Sequence, residues 1–121
     1  IKQMHAAGLT LTIASSRGRD SLPHLVQSIG IGQYISYIVS AEDVVNAKPH
    51  PEPVLKTLEH LDAKPQETLV VGDMAFDIEM GRRANTFTCG VSYGNGSVNE
   101  LEEAGANWVI DDFAQLLNIV F

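Results

Sequence analysis

The stretch VVGDMAFDIEMG, Val70 to Gly81, decides how this chain is read. Two apolar β-branched residues run into Gly72 and the carboxylate of Asp73; a second carboxylate, Asp77, follows four residues later where a helical pattern begins. A short apolar run bounded by turn residues reads as a buried strand. Asp77 has an ordinary role available, because an acid in the first turn of a helix favours the positive end of its dipole. For Asp73, which directly ends the strand, a turn and a metal site at the carboxyl edge of a parallel sheet are both open, and the rest of the chain decides between them.

Working outward, strands and helices alternate. Leu9–Ala14, Tyr34–Val39, Thr68–Gly72, Thr86–Val91 and Asn107–Ile110 have strand composition. Helical spacing is predicted over Pro51–Leu61, Asp77–Ala84 and Val98–Ala104, the last opened by the capping pattern of Ser97 and Glu100 and closed by Gly105. Further helices are expected from Ile1 to a stop at Gly8, from Asp20 or Ser21 to Gly30 with Pro23 in the first turn, and over Phe113–Val120 capped by Asp111 or Asp112. Ser40–Val45 suits a short helical turn, and the prolines of NAKPHPEP, Asn46–Pro53, break the chain into a loop. Such alternation builds βαβ units, hence a parallel sheet with helices on both faces. Functional groups in these sheets sit at the carboxyl ends of the strands, which singles out Ser15, the Ser40–Asp43 segment, Asp73 and Ser92.

Composition narrows the function. The chain has 121 residues, 45% hydrophobic and 19% charged, so it is expected to form one domain spanning residues 1–121 with a real core. A net charge of −7 argues against a nucleic-acid surface, which needs clustered Lys and Arg. No apolar run approaches the ~20 residues that span a bilayer, so no membrane partner is expected. Cys89 is the single cysteine, which excludes an internal disulfide, fits a reducing cytoplasm and reads as packing in an apolar strand. His5, His24, His50 and His60 share no metal-ligand spacing, which disfavours zinc. YGNGS, Tyr93–Ser97, lacks the lysine of a phosphate-binding loop. Arg17 and Arg19, just after Ser15, are ordinarily solvated charges, with contact to an anionic substrate as the sharper option.

Three segments match a known pattern in order and spacing. LTIASS, NAKPHPEP and VVGDMAFD resemble the second, third and fourth motifs of the haloacid-dehalogenase-like hydrolases, in the branch of the phosphoglycolate phosphatases and β-phosphoglucomutases. The likeness extends through EDVVNAKPHPE to the closing GANWVIDDFAQLL. It implies a Rossmann-like α/β core and a magnesium-dependent phosphatase that acts on a small phosphorylated metabolite through an aspartyl-phosphate. A phosphoryl group in transfer spreads charge over its oxygens, so catalysis is mainly positioning and electrostatic stabilisation. By the resemblance, Ser15, with Ser16 beside it, hydrogen-bonds a phosphoryl oxygen, and Lys48 steadies the phosphoryl group and the nucleophilic carboxylate. Asp73 is implied as the Mg2+ ligand, and Asp77 as the acid that supports the site, often through water. Taken alone, Ser15 would more simply cap a strand-to-helix turn, and an isolated lysine would be a solvated charge. Pro49 and Pro51, which fix the backbone around Lys48, set it apart.

The chain also departs from the pattern. The D-x-D-x-[TV] motif that supplies the family's nucleophile is absent, as is the helical cap domain, and the sequence begins at Ile1. These features lead to the expectation of an interior piece of a longer protein, an incomplete core without phosphatase turnover of its own. In the resembled family the first-motif strand lies between the strands ending at Ser15 and Asp73, so self-association through unpaired edges is expected. Asn85 replaces the usual glycine, which asparagine's tolerance of the left-handed conformation permits. The competing readings are a non-catalytic binding or assembly module, a phosphomutase, and a phosphate-accepting receiver domain; the last wants acids where Ser15 and Ser16 stand.

Overall fold

The computed structural model describes residues 6, 8–15, 34–46, 48–92, 97–112, 115, 116 and 119. Ser16, Arg17, Arg19, His5, His24 and the helices expected before Ala7 and after Asp20 lie outside the described residues, as does most of the Phe113–Val120 helix.

The described residues form five strands, β1 (Leu11–Ala14), β2 (Ile35–Val39), β3 (Leu69–Gly72), β4 (Phe87–Val91) and β5 (Trp108–Ile110). Three helices join them: α1 (Glu52–Leu61), α2 (Ala75–Arg83) and α3 (Val98–Glu103). Every recorded pairing is parallel. The α/β fold expected from the alternation is therefore present. One-turn 3-10 segments at Ala41–Asp43 and Pro65–Glu67 complete the connections, the first where a short helical turn was expected.

The strands form two sheets, β1 with β2 and β3 with β4 and β5. Among the described residues, β1 and β3 do not pair. Two apolar layers hold the halves together instead. On one side, Cys89, Val91, Ile110 and Leu116 form a cluster against which Leu9 and Leu11 pack from the first sheet and Leu69 and Val71 from the second. On the other, Val54 and Leu58 of α1 meet Met80 of α2 and Ala84 just after it, over Val70. Leu69 and Val71 thus face one layer and Val70 the other, the period-two alternation of a strand covered on both faces. Between the layers a cavity of about 120 Å³ is lined by Thr12 and Ala14 of β1, by Leu69, Val70 and Val71 of β3, and by Val54, Leu58 and Met80 beneath.

The ends of elements follow from local chemistry. Asn85, at φ 64°, takes the left-handed turn after α2, as its residue type allows. Gly105, at φ 96°, does so after α3, whose start is capped by Ser97 Oγ accepting from the Glu100 N–H at 3.2 Å. Asp62, at φ 52°, ends α1 in the same conformation. The buried Cys89 thiol is pushed to a higher pKa by its burial, as a packing residue should be.

Candidate active site

The parallel strands bring their carboxyl ends to one edge of each sheet, and Lys48 stands where the two edges meet. Its ammonium lies 2.6 Å from Asp77 Oδ1, with the lysine side chain 14% exposed and the aspartate 10%. Lys48 lines the cavity between β1 and β3 together with Asp77. It also lines a second hollow, of about 100 Å³, with Ser15, Ser40 and Val44. Ser15 continues the β1–β2 ladder by donating its N–H to the Val39 carbonyl at 3.0 Å. One ammonium therefore joins the Ser15 hollow to the Asp77 carboxylate beyond β3.

Asp77 is held from three directions. Its Oδ1 meets Lys48, and its Oδ2 accepts from the Met74 N–H at 3.3 Å, so it sits in the first turn of α2, not at its cap. The third constraint is Gly72. A Cβ on Gly72 would lie 2.3 Å from Asp77 Cβ and 2.7 Å from its Oδ2. Only a residue without a side chain lets the carboxylate sit against the end of β3. Asp73 follows Gly72 directly and lines neither cavity.

The loop carrying Lys48 is fixed by a residue that sequence reasoning passed over. Glu52, at the start of α1, accepts from the backbone N–H groups of Asn46 and Val45, both at 2.9 Å, and from Asn46 Nδ2 at 3.2 Å. The hydrogen bond from the Asn46 backbone, then that from Val45, holds the Glu52 carboxyl below its usual pKa. The Glu52 N–H in turn donates to His50 Nδ1 at 3.0 Å, and Arg83 Nη1 donates to the Pro49 carbonyl at 3.3 Å. An acid opening the first helical turn after a proline-broken loop was the available signal. At the second strand end, Ser40 donates both its N–H and its Oγ–H to Asp43 Oδ2 at 2.8 Å, which shapes the hollow wall beside Ser15.

For Mg2+ the test is the donor set. Asp73 and Asp77 supply hard carboxylate oxygens, the type Mg2+ takes, usually with waters and substrate phosphate completing the shell. Both Asp77 oxygens already meet protein donors, which fits a supporting place for Asp77 behind a metal. No cluster of three or more His, Cys, Asp or Glu that would hold a metal unaided occurs among the described residues.

Comparison with known proteins identifies the family. Residues 1–91 match the model of the haloacid dehalogenase-like hydrolase family. The chain is 33% identical over 120 residues to the pyrophosphatase PpaX of Oceanobacillus iheyensis, covering 99% of this chain and 56% of that protein. It is 32% identical over 114 residues to the phosphoglycolate phosphatase of Salmonella paratyphi A, covering 94% of this chain and 45% of the other. A hydrolase of known structure from Pseudomonas syringae superposes with TM-score 0.87 at 31% identity, over 97% of this chain and 53% of that one. The chain thus spans about half the length of the relatives it matches. With its parallel α/β core and its ordered motifs on one edge, it belongs to the haloacid dehalogenase-like hydrolase family.

Proposed function

We propose that these residues form part of a magnesium-dependent phosphatase acting on a small phosphorylated metabolite. The observation that carries the proposal is the position of Lys48, one ammonium shared by the Ser15 hollow and the Asp77 carboxylate. A transferring phosphoryl group needs cationic and hydrogen-bonding partners on its oxygens, and this edge offers both within one hollow. In this reading Ser15, with Ser16 next to it, donates to a phosphoryl oxygen while Lys48, steadied by Asp77, balances the charge. Asp73 would hold Mg2+, which supplies Lewis-acid neutralisation of the phosphoryl oxygens when bound. The pyrophosphatase and phosphoglycolate phosphatase relatives support hydrolysis over mutase chemistry.

The nucleophile in this proposal comes from outside the sequence of these 121 residues, on a strand that fills the cavity between β1 and β3. Among the described residues β1 and β3 do not pair, and residues of both strands line the cavity between them, which supports that reading. By itself the chain should therefore release no phosphate. The test uses the intact gene product with small phosphomonoesters. Saturable phosphate release that disappears on chelation and returns with magnesium is expected; release indifferent to chelation, or turnover by the 121-residue chain alone, would refute the proposal.

A further inference from the structure

Phe76 immediately precedes Asp77 in the first turn of α2, beside the ammonium of Lys48. The Lys48 Nζ lies over its ring, 5.9 Å from the centroid. That is within the reach at which a cation is attracted to the negative face of an aromatic ring. Phe76 is 38% exposed, so it stands at the surface of the site. Lys48, in contrast, is only 14% exposed. The ammonium thus meets a carboxylate at 2.6 Å and an aromatic face from the neighbouring position of the same turn.

We propose that Phe76 is a positioning residue for Lys48: its ring forms an outer wall that keeps the ammonium against Asp77 and away from bulk water. The geometry explains why a large apolar side chain stays half-exposed here. Successive positions of one helical turn supply the ring and the carboxylate, so a shift of that turn away from Lys48 would move both. The consequence for catalysis rests on the phosphatase reading above; the contact itself does not.

The experiment compares wild type with Phe76→Leu, Phe76→Tyr and Phe76→Trp in the intact gene product. Acetylation of Lys48 under limiting acetic anhydride is followed by peptide mass spectrometry and normalised to the exposed Lys56 and Lys64. Leucine retains bulk but lacks the ring, so Phe76→Leu should raise Lys48 labelling about two- to fivefold. Tyr and Trp, which retain an aromatic face, should leave it within about 1.5-fold of wild type. In turnover, Phe76→Leu should lower kcat by a similar factor with KM unchanged, because the ring acts through Lys48 and not on substrate. Unchanged labelling in Phe76→Leu, or Trp and Tyr variants that label as fast as Leu, would overturn the assignment. A rise in KM at constant kcat would also overturn it. Absence of phosphatase turnover in wild type, with labelling as expected, would strike the proposed function and leave the Phe76–Lys48 contact standing.

Discussion

The Lys48 ammonium and the Asp77 carboxylate meet at 2.6 Å although 29 positions separate them in sequence. The pair is nearly enclosed, and it spans a cavity whose walls belong to two different sheets. It therefore has a structural role, joining the proline loop to the end of β3, besides the chemical one proposed. Removing one partner of a buried pair strands the other charge, at a cost of about 3–5 kcal/mol where burial is complete. Asp77→Ala and Lys48→Met should each destabilise toward the lower part of that range. A double-mutant cycle in urea should give a coupling of about 1–3 kcal/mol; additive losses would mean the pair does not form in solution.

Gly72 tests how closely the carboxylate must approach the strand. A methyl group there would overlap Asp77 Cβ at 2.3 Å. Relief requires moving backbone or the Asp77 side chain, so Gly72→Ala should cost about 1–3 kcal/mol, as overpacking does. It should also loosen Lys48, which is read as faster acetylation of that lysine. A Gly72→Ala protein as stable as wild type would show that α2 can shift without loss.

Glu52 makes the Lys48 loop sensitive to acid. Its carboxyl is held below the ordinary value of 4.5 by the Asn46 and Val45 amides. A group whose folded pKa is depressed adds stability that is present above its unfolded pKa and lost as pH falls through the folded one. Glu52→Gln removes that charge-dependent contribution, so its difference from wild type should be constant near neutrality and shrink below about pH 4.5. Proton exchange at the Val45 and Asn46 amides should be faster in Glu52→Gln at pH 6, and equal protection in both proteins would contradict the assignment.

The facing edges of β1 and β3 carry a prediction about association. Unpaired N–H and C=O groups each cost roughly 1–3 kcal/mol when buried without a partner, against the ~5–15 kcal/mol stability of a typical domain. Direct pairing of β1 with β3, which would relieve this, does not occur among the described residues. The 121-residue chain alone is therefore expected to self-associate or to melt without cooperativity. Sedimentation showing a cooperatively melting monomer would contradict that expectation.

Much of the frame is legible in the residues themselves. Val70 and Val71 ending in Gly72 announce β3, because a strand covered on both faces is apolar throughout. Asn85 and Gly105 mark left-handed turns where the structure has them. Edges were less legible. The helix expected from Asp77 begins at Ala75, since Asp77 reaches back to the Met74 N–H and so lies inside the first turn. Asp62 ends α1 in a left-handed turn that glycine more often marks. Within the site, the residue types at strand ends could be picked out one by one, whereas their partners could not. Glu52 on the Val45 and Asn46 amides, Arg83 on Pro49 and the Phe76 ring over Lys48 are set by the folded loop, and no periodicity encodes them.

The central claim is that Lys48 acts on the phosphoryl group from its place beside Asp77. It is tested most directly by the kcat of Lys48→Met in the intact gene product, measured at saturating magnesium with folding verified by circular dichroism. Loss of one group that stabilises developing charge typically costs about 10²–10³-fold, and a fall of at least that order is predicted. A folded Lys48→Met enzyme turning over within about twofold of wild type would contradict the account, since the residue joining the two halves of the site would then have no part in the chemistry.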